Sequence, residues 1–277
     1  MTERVKVTIA DGVAEVRLNR PDKINALDPA MFAAIVEAGE ALKEDASVRA
    51  VVLSGEGRGF CAGLDFSSFQ AMAGDGGGRA DDAPDAAIGR TGGRITHLGQ
   101  QASWVWTEVP VPVIAAVHGA CLGGGLQVAL GADIRIVAPD VKMSVLEVRW
   151  GLTPDMTATV ALPHLVGLDV AKELTWTGRT VDGEEAVRIG LATRVADDPL
   201  GAALALAGEL ASKSPDAIRA GKRLFDPAAG RSLPDQLAEE RTAIGSLIGS
   251  RNQVESVTAY FEKRAPVFTD ATSPPAR

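Results

Sequence analysis

Two glycine-dense turns and one carboxylate in an apolar run concentrate the chemistry-capable groups of this 277-residue chain. The first turn, Gly59-Phe60-Cys61-Ala62-Gly63-Leu64-Asp65, follows an apolar run at residues 48–54. The second, Gly119-Ala120-Cys121-Leu122-Gly123-Gly124-Gly125, follows another at residues 111–117. Glycine lets the backbone turn sharply and leaves peptide N–H groups uncovered by side chains. The second turn also opens a helix predicted over 123–131, whose first amides lack intrahelical acceptors and favour negative charge. One N–H from each turn makes a two-donor hole for an oxyanion. Further on, Glu147 lies among Val145, Leu146, Val148 and Trp150, with Asp155 eight residues later across a Gly151/Pro154 turn. Desolvation in such a setting raises a carboxyl pKa, which suits a general acid/base near neutral pH. The competing reading of Glu147 is a partly exposed glutamate paired with Arg149.

Other chemistries have less to stand on. No Gly-x-x-x-x-Gly-Lys-Ser/Thr occurs, and the glycines at 57, 59 and 63 miss the dinucleotide-binding spacing by one residue. His97, His118 and His164 are isolated from one another and from Cys61 and Cys121, so no metal-ligand spacing is present. A cysteine nucleophile needs a neighbour that lowers its pKa; His118 is near Cys121 in sequence, but small buried residues flanking tight turns account for both cysteines. No Gly-x-Ser-x-Gly elbow is present for a serine hydrolase.

The elements that must position these groups read as follows. Strands are predicted at 5–9 and 13–18 around an Asp11-Gly12 hairpin turn. A helix capped by Asp28, with Pro29 at its first position, carries Met31, Ile35, Ala38 and Leu42 on one face. The valine-rich run at 48–54 suits a strand buried on both sides. Residues 66–94 are glycine- and aspartate-rich without apolar periodicity and read as a mobile surface loop. Ile95, Leu98, Ala102 and Val105 restore a helical face, leading to strands at 111–117 and 133–137. Beyond residue 200 only helices are predicted, with faces at Leu237, Ile244, Leu247 and at Val254, Val257, Phe261. The fold class is therefore α/β, with a core over 1–200 and a helical region over 201–277.

Composition excludes several classes. Thirty-six acidic against 28 basic residues give a net charge of −8, the opposite of a nucleic-acid footprint. Residues 109–132 carry no charged side chain, but Pro110, Pro112 and five glycines break that run, so it reads as strand, turn and short helix rather than a membrane span. Two cysteines are too few for a disulfide framework, and a cytoplasmic location is the simplest expectation.

Four blocks in order resemble the crotonase, or enoyl-CoA hydratase/isomerase, family: Asn19-Arg20-Pro21-Asp22-Lys23-Ile24-Asn25-Ala26-Leu27, the two glycine turns extended by His118, and Glu147-Val-Arg-Trp-Gly151-Leu-Thr-Pro154-Asp155. The closing stretch from Tyr260 to Phe268 also resembles the family's tail. The resemblance implies a crotonase-like spiral of repeated ββα units with a C-terminal helical region that builds trimers, often paired into hexamers. It implies acyl-CoA thioesters as substrates, coenzyme A arriving as part of the substrate, and no metal or redox cofactor. The oxyanion donors become the amides of Leu64 and Gly124. Ala26 and the segment Ala62, Leu64, Asp65 meet the CoA portion, with Lys23 and a neighbouring subunit's Lys263 as phosphate partners.

One departure bears on the reaction. Family hydratases use two glutamates, and the matching positions are Gln127 and Glu147. A glutamine amide can orient a water but cannot take its proton. Proton shuttling by Glu147 alone, as in the family's Δ3,Δ2-enoyl-CoA isomerases, is compatible with this pair. Asp155 resembles the second carboxylate of the family's dienoyl-CoA isomerases. A member that binds acyl-CoA without catalysis and a thioester hydrolase are the other readings left open.

Overall fold

The computed structural model describes residues 3–65, 93–226 and 230–271. Its frame is a six-stranded sheet in the order β1-β2-β3-β4-β6-β8, made of β1 (Val5–Ala10), β2 (Val13–Leu18), β3 (Ala50–Gly55), β4 (Val113–Val117), β6 (Ile134–Val137) and β8 (Arg194–Val195). β1 and β2 form the expected antiparallel hairpin, and every later pairing is parallel. Asp11 and Gly12 both have positive φ, 51° and 77°, as a two-residue turn matched to strand twist requires.

A second, narrower ladder runs beside the first. β5 (Ala120–Leu122) pairs in parallel with β7 (Lys142–Ser144), and single bridges join Leu27 to Leu64, Cys61 to Cys121 and Met143 to Val181. Each pass of the chain thus lays one strand in the main sheet, one rung in the small ladder and then helix. That succession is the spiral of ββα units.

Helices cover both faces. α1 (Pro29–Glu44) starts where Asp28 accepts a 2.8 Å bond from the Met31 amide, and buries Met31, Ile35, Ala38 and Leu42. It packs beside α2 (Leu98–Glu108), which contributes Ala102, Val105 and the fully buried Trp106 to the same core as Val51, Leu53, Val113 and Ala115. α3 (Gly124–Leu130), α4 (Ala158–Val166), α5 (Leu168–Thr177) and α6 (Gly183–Arg188) follow the ladder rungs. On the opposite face, α7 (Pro199–Ala211) sets Ala203 and Ala207 against Ala50, Val52, Ile114, Ala116 and Ile136. Alternate residues of β3 therefore serve two cores, which explains its unbroken apolar run.

The differences from expectation are local. Ile95 does not join a helical face but is 85% exposed, because His97 caps α2 by accepting from the Gly99 and Gln100 amides. β4 begins at Val113, since Pro110 and Pro112 have no N–H to give a ladder. The 66–94 stretch read as a loop falls, through residue 92, outside the described residues. α8 (Pro215–Phe225), α9 (Leu233–Leu247) and α10 (Arg251–Glu262) form as helices, but Leu237, Ile244, Val254, Val257 and Phe261 stay exposed within one chain. The charge-free stretch at 109–132 is β4, β5 and the seven-residue α3, and no helix among the described residues is long and apolar enough to cross a membrane.

Asn25 stitches the start of the spiral together. It is wholly buried in the left-handed region (φ 55°), its amide nitrogen reaches the carbonyls of Glu56, Gly59 and Phe60 at 3.0 to 3.1 Å, and its oxygen accepts from the Arg20 amide at 2.8 Å. Asn25→Ala leaves those buried groups unpaired and should cost about 1–3 kcal/mol. The expected readout is a lower urea midpoint with an unchanged slope; a midpoint equal to wild type would refute the stitching role.

Candidate active site

The two glycine turns lie side by side. The Cys61 amide donates to Ala120 O at 2.9 Å and the Leu122 amide to Cys61 O at 3.0 Å, so the turns are joined by backbone alone. Glycine is required where they touch. A methyl group on Gly125 would sit 2.5 Å from Cys61 O, and one on Gly63, at φ 89°, would sit 2.7 Å from Leu122 O and 3.6 Å from the Gly124 nitrogen.

This packing leaves two amides without acceptors. In the bridge to Leu27, Gly63 O accepts from the Leu27 amide (2.8 Å) and the Asp65 amide donates to Leu27 O (3.0 Å), so the Leu64 N–H points to the other side of its strand. Gly124 is the first residue of α3, held by its neighbour Gly123, whose amide donates to Ser144 O at 2.9 Å. Neither the Leu64 nor the Gly124 amide has an acceptor among the described residues. Both residues are half-buried between buried neighbours, with Leu27 and Met156 flanking Gly124.

Glu147 opens a single 3-10 turn, Glu147–Trp150, and is 9% exposed. Its Oε1 lies 3.5 Å from where a methyl on Gly123 would be, which sets the carboxylate beside the second turn. Its partner is not Arg149. Gln127, buried on α3, donates to Glu147 Oε1 at 2.7 Å. Gln127 Oε1 in turn accepts from the Met156 and Ala158 amides at 2.8 and 3.2 Å. Glu147 Oε2 is buried with no hydrogen-bond partner among the described residues. Burial pushes the Glu147 carboxyl up, and the Asp155 charge adds to that, against the lowering effect of the Gln127 bond. Asp155 is solvent-exposed on one side, yet crowding by protein on the other pushes its carboxyl up as well, with His97 opposing.

The remaining sequence candidates occupy the first turn and its supports. The Ala62 amide donates to Ile24 O at 2.9 Å. Arg20 bridges Ala26 O at 3.1 Å and pairs with Asp65 at 2.5 Å. Ala26, Ala62, Leu64 and Asp65 are thereby gathered into one wall, with Lys23 exposed at the adjoining 3-10 turn Pro21–Lys23. Lys263 caps α10 at φ 55° and is exposed; it makes no hydrogen bond or ion pair to that wall among the described residues. The sequence reading missed Asn25, Arg20 and Met156. Asn25 and Arg20 stood inside a quoted block, but their long-range partners have no signal in a single sequence. Cys61 and Cys121 are fully buried, and burial pushes the Cys61 thiol up to about 12 and the Cys121 thiol well above the ordinary thiol range. Thiols of that kind stay protonated at neutral pH.

With this geometry in place, comparison with known proteins is informative. Residues 8–271 match the family model described as enoyl-CoA hydratase/isomerase. The chain is 34% identical over 264 residues to enoyl-CoA hydratase domain-containing protein 2 of Mus musculus, covering 93% of this chain and 84% of that one. It is also 34% identical over 267 residues to the Delta(3,5)-Delta(2,4)-dienoyl-CoA isomerase of Mus musculus, covering 95% and 80%. The solved structure of an enoyl-CoA hydratase from Polaromonas sp. JS666 superposes with a TM-score of 0.84 at 30% identity, covering 96% of this chain and 99% of that one.

A buried carboxyl with a raised pKa binds protons more tightly folded than unfolded. Its destabilising effect is absent below the unfolded pKa, where both states are protonated, and grows as pH rises towards the folded value. Glu147→Gln, neutral at every pH, should therefore raise Tm at pH 7 to 8, with the gain shrinking towards pH 4. Thermal melts across that range check this; a gain independent of pH would contradict it.

Proposed function

Because the chain belongs to the enoyl-CoA hydratase/isomerase family, we propose that it isomerises an enoyl-CoA thioester with Glu147 as a single acid/base. The supporting observation is the conjunction of two amides, Leu64 and Gly124, and one buried carboxylate oxygen, Glu147 Oε2, none of which has a hydrogen-bond partner among the described residues. The substrate is a 3-enoyl-CoA in this reading. Glu147 takes a proton from C2, the electron pair moves onto the thioester oxygen, and the two N–H groups receive the resulting dienolate. The same carboxyl then returns the proton at C4 while the carbonyl re-forms, giving the 2-enoyl isomer with no net gain or loss of atoms.

A proton next to a thioester carbonyl is poorly acidic, so stabilising the developing oxyanion is what makes its removal feasible. Losing one such donor costs roughly 10² to 10³ in rate in other enzymes. No metal or redox group is needed, and coenzyme A arrives with the substrate. The wall of Ala26, Ala62, Leu64 and Asp65 faces the CoA portion in this proposal, with Lys23 and a neighbouring subunit's Lys263 towards its phosphates. Gln127 argues against addition of water by two carboxylates, because its amide neither takes up nor gives up a proton near neutral pH and both its ends are engaged.

A second reading has its own observation. Burial pushes the Glu147 and Asp155 carboxyls up, and the Asp155 charge adds to the rise at Glu147, which supports a pair of carboxylates working on one conjugated dienoyl-CoA. The exposed apolar side chains of α9 and α10 support a homotrimer, or a dimer of trimers, in solution. Light scattering that returned a monomer would remove that support.

The test is a panel of 2-enoyl, 3-enoyl, dienoyl and saturated acyl-CoA thioesters followed by mass spectrometry. The expected outcome is a same-mass product of shifted retention from 3-enoyl-CoA, lost by about 10² to 10⁴ in Glu147→Gln. An 18-dalton gain from 2-enoyl-CoA, free CoA release, or turnover that survives Glu147→Gln would overturn it. Product from dienoyl-CoA alone, lost in Asp155→Asn, would select the second reading.

A further inference from the structure

The acid/base role of Glu147 leaves open which of its two oxygens moves the proton and what keeps it aimed. Gln127 answers both. Its carbonyl oxygen is identified by its partners: only an acceptor can take the Met156 and Ala158 amides, at 2.8 and 3.2 Å. The NH₂ end must then face Glu147, where it donates to Oε1 at 2.7 Å. An oxygen already receiving an N–H is a poor place for the shuttled proton. Oε2, buried and without a hydrogen-bond partner among the described residues, is the free one.

The other end of the same amide holds a strained turn. Thr157 lies between the two donating amides at φ 76°, a conformation that β-branched residues rarely adopt. Met156 on one side of it flanks Gly124, and Asp155 precedes it. One buried carboxamide therefore links the acid/base, the turn bearing Asp155 and the flank of the oxyanion donor.

We infer that Gln127 is a positioning residue: it pins Oε1 of Glu147, assigns proton transfer to Oε2, and fixes the 155–158 turn against the start of α3. The inference deepens the proposed role of Glu147 and rests on it. Where a second carboxylate would act on water, this chain has built an orienting clamp.

The test uses two variants in the full-length protein. Gln127→Met keeps volume and removes both bonds. Gln127→Glu keeps an acceptor for the Met156 and Ala158 amides but replaces the donor by a carboxyl, which guards against a simple failure to fold. The Glu147 carboxyl is followed by ¹³C NMR of glutamate-labelled protein, its resonance assigned by its loss in Glu147→Gln. An N–H donated to a carboxylate favours the charged form, and a nearby like charge disfavours it. Both variants should therefore move the Glu147 titration midpoint to higher pH. Isomerisation kcat should fall about 10- to 100-fold in Gln127→Met, the scale of a small misplacement, with KM within about twofold of wild type. An unmoved midpoint in both variants, or a kcat loss without any midpoint shift, overturns the positioning role. If the midpoint shifts while Glu147→Gln stays active, the acid/base reading fails and the clamp on Glu147 stands.

Discussion

The proposed chemistry depends on two turns being close enough to share backbone hydrogen bonds. The Cys61 and Leu122 amides tie the turns together at 2.9 and 3.0 Å, and that contact exists only because Gly63 and Gly125 carry no side chain. Peptide donors held this way need no reorganisation when charge develops beside them, which is why preorganised amides are worth more in a site than in water. The same bonding that consumes the neighbours of Leu64 and Gly124 is what leaves those two amides without an acceptor among the described residues. The main sheet contributes indirectly: β3 and β4 are adjacent and parallel, so the turns that follow them must emerge side by side.

The carboxylate obeys a different rule. Burial of Glu147 raises its carboxyl, while the Gln127 bond pulls the other way. Water alone around Glu147 would remove the shift due to burial, and burial without Gln127 would take away the side-chain donor to Oε1. The observed compromise keeps one oxygen satisfied and one bare. A buried oxygen without a partner among the described residues is a stability cost, and under the proposed function its retention would be a trade of stability for activity.

Much of this was legible in the sequence where the cause is local. The Asp11-Gly12 turn, the Asp28 cap and the glycine turns each announce themselves within a few residues, since φ preferences and capping act at short range. Glu147 was legible as a buried carboxylate from its apolar neighbours, whereas its partner was not: Gln127 is 20 residues away and on another element. Arg20 to Asp65 and Asn25 to Phe60 are likewise long-range pairs set by the spiral. The start of α2 was misplaced because apolar spacing favoured Ile95, while the side chain that decided the boundary was a capping histidine, an uncommon residue in that role. The helical faces of α9 and α10 were correctly periodic, but periodicity cannot say whether a face meets its own chain or another.

The Gly124 amide begins a helix, but the size of α3 leaves little for a helix dipole to add to it. The helix has seven residues, so few peptide units are aligned behind Gly124. Its far end is also neutralised: the buried Arg135 guanidinium donates to Ala129 O at 3.5 Å and Ala132 O at 2.6 Å, and burial pulls its pKa down to about 10. A cation at the C-terminal carbonyls stabilises the helix, but it also places positive charge behind the donor, which helps an oxyanion far less than direct contact does because the intervening length weakens it. In the proposed reaction, what would act on the thioester oxygen is therefore the Gly124 N–H itself, through a short-range directional bond. That makes the position of Gly124, and so the fit of Gly63 and Gly125 against their neighbours, matter more than the charge at either end of the helix.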